Sequence, residues 1–199
     1  MIYSLMEHII DHITLYNENI HQYHTKEKYI MAIFKKIAAQ GKYQDNQAIP
    51  DLIAYITRRD KTPSSFIGGV ETDENDIAGS MMRVSNAFNK NTHIRLHHFI
   101  ISFHPKEISS IRILIGIAEE ICSFIGDTYQ IVYAIHEDSF FPHIHFVFNA
   151  VSYKNGERYR GGKKEYHDLV RMVRYFVRSF GVAELLPVNY YPNPYDPHE

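Results

Sequence analysis

The chain has no tryptophan and a single cysteine in 199 residues. Cys122 therefore has no partner for an intramolecular disulfide, which excludes a disulfide-stapled secreted scaffold and fits a reducing, cytoplasmic setting. It lies in IRILIGIAEEICSFIG, an apolar-periodic stretch where a buried structural thiol is expected. No apolar run approaches the length of a membrane span, so no membrane segment is expected. The first residues, MIYSLMEHIIDH, lack a basic region ahead of their apolar positions, and no secretory leader is expected either. There is no His-Glu-x-x-His and no Cys-x-x-Cys, which removes the common zinc-protease and zinc-deaminase patterns. The formal net charge is only −2, which argues against a surface coated in basic residues.

What the chain does have is histidine and aromatic rings: 13 His, 15 Tyr and 12 Phe. With 45% apolar residues it is long enough to bury a full core. Apolar spacing in residues 2–16 predicts an amphipathic first helix, with His8 and His12 one turn apart as surface or core-edge residues. YIMAIFKKIA reads as a strand, and Asn46 is placed to cap the helix IPDLIAYITRR, with Pro50 early in it. FIGGVET is a short strand or turn, DENDIAGSMMRVSNAFNKN a helix, LHHFIISF a strand and ISSIRILIGIAEEICSFIG a long helix. YQIVYAIHED and HIHFVFNAVSY then read as a hairpin around SFFP, followed by the helix KKEYHDLVRMVRYFVRSF and an irregular Pro-rich tail. The pattern predicts an α+β fold, an antiparallel sheet with helices packed on it. Three regions are expected: a helical extension over 1–24, one catalytic domain over 25–186 and the tail over 187–199.

Charge is unevenly spread. Between Lys154 and Arg178 lie eight basic residues (Lys154, Arg158, Arg160, Lys163, Lys164, Arg171, Arg174, Arg178) against three acidic ones, so this segment is strongly positive in an otherwise acidic chain. Standing alone it is a solvated helix face; next to the hairpin it reads as a phosphate-contacting surface.

The hairpin carries HEDSFFPHIHFVFN. A His-x-His pair is expected by chance about once in a chain this rich in histidine, so the pair alone proves little. On a strand, however, residues i and i+2 share a face, so His143 and His145 project together. Antiparallel pairing through the SFFP turn brings His136 to the same face. Three converging imidazoles leave coordination positions open, as in a catalytic metal site, with Glu137 or Asp138 available to orient a ligand ring. Such a site can activate water, or polarise a phosphate for a protein nucleophile.

YAIHEDSFFPHIHFVFN, with LHHFIISFHP upstream and IAYITRRDKT further upstream, resembles the relaxase, or mobilisation nuclease, family of HUH (His-hydrophobic-His) endonucleases, in particular its MobP and T-DNA border-nicking branch. The resemblance spans roughly residues 28–180 and implies a five-stranded antiparallel palm with helices behind it. It implies nicking of one strand at a transfer origin, with the enzyme left covalently on the 5′ end and able to religate. Tyr55, in AYITRR, matches the nucleophile; His136, His143 and His145 match the metal ligands; Arg58, Arg59 and Lys61 follow as DNA contacts. The implied cofactor is a divalent ion, Mn²⁺ or Mg²⁺, with Zn²⁺ also suited to imidazole. The implied partners are single-stranded DNA of the origin and its flanking hairpin, a type IV secretion coupling protein and accessory origin-binding proteins, in a bacterial cytoplasm. Related single-tyrosine transposases and initiators carry the nucleophile after the histidines, which makes Tyr166 and Tyr175 rival candidates and Tyr43 a weaker one. His97 and His98 sit in a neighbouring strand, His98 as a candidate to support the ligands. A non-catalytic DNA-binding protein of the same fold and a water-using hydrolase remain open alternatives. The helical extension departs from the family pattern, as does the early end of the chain, which leaves either a compact relaxase or one domain of a longer protein.

Overall fold

The computed structural model describes residues 31–37, 43–45, 47–106 and 108–188. The expected first helix with His8 and His12, Asn46, and residues 189–199 of the tail lie outside the described residues. Six strands and four helices follow in the order β1 (Met31–Ile37), α1 (Ala48–Ile56), β2 (Ile67–Val70), α2 (Ile77–Ala87), β3 (Leu96–Phe103), α3 (Ile111–Gly126), β4 (Ile131–His136), β5 (His143–Asn149), α4 (Lys163–Ser179) and β6 (Glu184–Val188). A short 3₁₀ turn, Ser64–Phe66, leads into β2.

The strands form one sheet in the order β2-β4-β5-β3-β1-β6. The first five are antiparallel to their neighbours, as expected, and β6 adds parallel to β1 at the edge. This sixth strand is absent from the sequence reading, and it takes Pro187 and Val188 out of the region assigned to the tail. A proline, having no N–H to give, is tolerated on an edge strand, which is where this one sits.

Local signals explain where the helices start. The Asp76 side chain accepts from Gly79 N at 2.9 Å, Ser110 Oγ from Arg112 N at 3.2 Å, and Glu165 from Gly162 N at 2.9 Å. For α1 the acceptor is Asp45 Oδ1, 2.7 Å from Ala48 N.

Strand alternation divides the core in two. On one face Phe99, Ile101, Phe103, Tyr133, Ile135, Ile144, Phe146 and Phe148 pack against α3 and α4, with the Phe99 and Phe146 rings stacked at 4.7 Å. On the other face Val132, Ala134 and Val147 pack against α1 and α2 through Ile49, Leu52, Tyr55, Ile56 and Met81. The three hairpin histidines belong to this second face. Two hydrogen bonds tie α1 and its following loop to β4: His136 Nε2 donates to Ile56 O at 2.8 Å, and buried Thr62 Oγ1 donates to Ile135 O at 2.6 Å. Replacing Thr62 with Val keeps the shape and removes the donor. The expected loss is about 1–2 kcal/mol in the denaturation free energy, with an unchanged denaturant slope.

Candidate metal centre and nucleophile

The β4–β5 register sets His136 directly opposite His143, and Ala134 opposite His145. Ring centroids lie 4.4 Å apart for His136 and His145, 5.1 Å for His143 and His145, and 5.2 Å for His136 and His143. One nitrogen of each ring is already committed. His136 Nε2 bonds Ile56 O, His143 Nδ1 donates to Phe141 O at 3.1 Å, and His145 Nδ1 lies 3.0 Å from His98 Nε2. The remaining nitrogens, His136 Nδ1, His143 Nε2 and His145 Nε2, are buried and make no hydrogen bond. Ligand atoms of the three rings lie within 4.8 Å of one another.

A buried polar atom without a partner costs roughly 1–3 kcal/mol, so three facing one another require a common explanation. A divalent cation fits: it takes neutral imidazole nitrogens, and the hydrogen bond at the far nitrogen fixes each tautomer. Burial keeps the rings neutral. It lowers the pKa of all three, that of His143 to about 4 and that of His145 well below the ordinary range, where neighbouring histidines add to the effect.

Tyr55 lies over the triad from α1, its ring centroid 5.8 Å from His145 and 6.5 Å from His136, with no solvent exposure. Tyr43 is also buried. Its hydroxyl is 3.3 Å from His98 Nδ1, so a chain runs from Tyr43 through His98 to the ligand His145. Burial, and then the neighbouring Tyr55, raise the Tyr43 pKa well above that of a free phenol. Tyr166 and Tyr175 lie on α4, against the opposite face of the sheet. Tyr166 packs on Phe34 there and Tyr175 is exposed, so the fold does not bring either rival to the histidines.

Other expected site residues are redistributed. His98 supports a ligand, whereas His97 faces the other side, stacked on Phe148 and bonded to Tyr159 O at 2.9 Å. Glu137 and Asp138 do not orient the ligand rings: two backbone carbonyls and His98 do so, Glu137 is exposed, and Asp138 pairs with Lys61 at 3.2 Å. Arg58 pairs with Asp60 at 2.7 Å and Arg59 is exposed, both just beyond α1. The charges of Arg58 and Lys61 are felt by His136, and that of Lys61 by all three ligands.

The basic segment does not flank the hairpin site. It leaves β5 at the end away from His143, and α4 then runs along the opposite face. Lys154 pairs with Asp127 and Lys164 with Asp168, while the Arg158 guanidinium donates to the carbonyls of Lys90 and Ile94. Arg160 and Lys163 are exposed there. Sequence adjacency to the histidines misled, because alternation and the helix connection carry these residues round the sheet.

Lys35 was not singled out beforehand. It pairs with Ile100, which pairs with His145, so it shares the triad's face two strands away. Burial lowers its pKa to about 8. The signal available was a lysine at an inward position of the alternating strand AIFKKI. The Ile56 and Phe141 carbonyls have no sequence signal at all.

A family model for the relaxase MobA/VirD2-like nuclease domain matches residues 55–182, which include Tyr55 and all three histidines. The chain belongs to this relaxase family. It is a mobilisation relaxase by family, a class of DNA-nicking endonucleases acting in conjugation and mobilisation. No curated protein sequence matches it. Among solved structures, one from work titled "Molecular Basis of Vancomycin Resistance Transfer in Staphylococcus aureus" aligns at 17% identity with a TM-score of 0.41, covering 62% of this chain and 74% of that one. Among the described residues no helix is long and apolar enough to cross a membrane.

Two outcomes are expected of this relaxase. Tyr43→Phe, which removes only the hydroxyl at the end of the His98 chain, lowers Mn²⁺ or Zn²⁺ affinity about tenfold in a chelator-competition titration. Acid also destabilises the metal-free protein. His97, His136, His143 and His145 all have folded pKa values depressed below the ordinary 6.5, those of His97 and His143 to about 4. As pH falls, the unfolded chain takes up protons first, so the stability present above pH 6.5 is lost on the way to pH 4. Urea midpoints measured with chelator fall steeply over that range.

Proposed function

We propose that this relaxase nicks one strand at a transfer origin by attack of Tyr55 on the scissile phosphate, leaving a 5′-phosphotyrosine link. The observation that carries the reading is the convergence of three unpartnered imidazole nitrogens beneath the Tyr55 ring. A divalent ion bound by His136, His143 and His145 would supply charge to polarise the phosphate oxygens, with Mn²⁺ or Mg²⁺ the physiological choice and Zn²⁺ also suited.

The remaining work belongs to the chain. Tyr55 loses its phenolic proton, its oxygen forms a bond to phosphorus, and the bond from phosphorus to the 3′ oxygen breaks. The departing 3′ oxygen gains a proton, so charge balances, and the new 3′ hydroxyl can reverse the step because the phosphotyrosine keeps the ester bond. Arg58 and Lys61, just after α1, favour the charged phosphate beside the triad. Tyr55, His136 and His145 have no solvent exposure, so entry of the strand has to open the site. We further infer that the substrate is single-stranded DNA of the origin with its flanking hairpin, and that a type IV secretion coupling protein and accessory origin-binding proteins are the partners. Initiation of conjugative transfer or mobilisation is the biological role.

Incubation with Mn²⁺ and labelled single-stranded oligonucleotides tiling the transfer region tests the nucleophile directly. Wild type and Tyr166→Phe are expected to give a DNA-shifted band on a denaturing gel, and Tyr55→Phe none. An adduct that survives in Tyr55→Phe sinks the assignment, and cleavage with no adduct in wild type points to water as the nucleophile instead.

A further inference from the structure

We propose that Phe140 is a stacking platform for one nucleobase of the strand bound at the histidine triad. The inference rests on the nicking function above and adds the residue through which the protein grips a base close to the nick.

Among the described residues three large apolar side chains are exposed: Phe124 at 61%, Phe140 at 69% and Tyr175 at 69%. Phe124 and Tyr175 both pack on Phe176 in the α3–α4 layer, which covers the face away from the histidines. Phe140 differs in place. It stands in the turn 137–142, whose two ends are the ligands His136 and His143. The ligands are buried, so this ring is the exposed apolar part of the segment that builds the site.

The turn is also held in shape. Ser139 Oγ donates to Phe141 O at 2.7 Å, His143 Nδ1 donates to the same carbonyl, and Phe103 N donates to Pro142 O at 2.9 Å. Phe141 is buried with its ring against His104, and Asp138 is fastened to Lys61. The Phe140 ring meets Phe141 edge to face at 4.9 Å and 88°, a contact that leaves most of the Phe140 surface open. An ordered aromatic ring in water beside a phosphate-handling centre matches the chemistry of an unstacked nucleobase. It cannot hold the phosphate, which is left to the cations and the triad. A flat base, splayed from a single strand, covers the ring without needing a hydrogen bond, so the contact gives affinity with little sequence preference.

The absence of tryptophan makes the test direct, because Phe140→Trp becomes the sole tryptophan of the protein. Phe124→Trp, on the opposite face, is the control. Binding of fluorescein-labelled single-stranded oligonucleotides from the transfer region is followed by anisotropy for wild type, and tryptophan emission is followed for both variants with unlabelled strands under chelation. Emission of Phe140→Trp is expected to be quenched on binding, with the quench abolished when one nucleotide near the nick is abasic, and emission of Phe124→Trp is expected to stay constant. Phe140→Leu, apolar but not aromatic, is expected to bind about tenfold more weakly than wild type. Wild-type binding without a quench in Phe140→Trp, or Phe140→Leu binding as tightly as wild type, overturns the platform and leaves the nicking function standing. Failure of the wild-type protein to bind any strand overturns both.

Discussion

The site depends on the register of one hairpin. With His136 opposite His143 and Ala134 opposite His145, three imidazoles share one face of β4 and β5 within hydrogen-bond-scale reach of a common point. A slip of one residue sends a strand's side chains to the opposite face, so the same sequence would bury His145 among the phenylalanines of the α3–α4 layer. The aromatic face guards against this. Phe146 and Phe148 alternate with the histidines, and they find Phe99 and the residues of α3 only in the observed register. Packing on one side of the sheet thereby specifies ligand geometry on the other.

Desolvation is the second constraint. Removing the imidazoles from water keeps them neutral, and it also leaves three ring nitrogens with no hydrogen bond. The opposite nitrogens are satisfied by groups that already have structural duties. The Ile56 carbonyl ends the helix that carries Tyr55, so the bond from His136 fixes that helix and the histidine triad to one another. The Phe141 carbonyl closes the turn between the two strands. Helix placement and ligand orientation are thus one problem, and the fold answers it with backbone atoms.

Periodicity is why so much of this was legible beforehand. Period-two alternation in HIHFVFN and helical spacing in IPDLIAYITRR place His143, His145 and Tyr55 correctly, and turn chemistry at SFFP brings in His136. The position of Tyr55 over the triad was legible through a motif resemblance, since with 15 tyrosines no single one stands out by composition. What was not legible follows from the same physics. Backbone carbonyls have no residue identity, so the partners of His136 and His143 leave no trace in the sequence. Tyr43 and His98 are 55 residues apart and meet only through the sheet. The strand β6 is masked by Pro187, which local propensity counts against a strand and which an edge position tolerates. Lys154 to Arg178 shows the opposite failure, a charge pattern correctly seen and wrongly located, because proximity along the chain says nothing about which face of a sheet a helix covers.

That relocation changes the electrostatics of the site. The cations that remain near the triad are few: Arg58 pairs with Asp60 and Lys61 with Asp138, while Lys35, lowered by burial to a pKa of about 8, still mostly carries its proton at neutral pH. The two ion pairs reduce the positive potential beside the triad without removing it, and the triad itself is neutral at physiological pH. The fixed positive charge beside the triad is therefore modest. A cation held by the three ring nitrogens would add to that charge. Meanwhile the exposed positive charges of α4 lie on the far face, away from the triad.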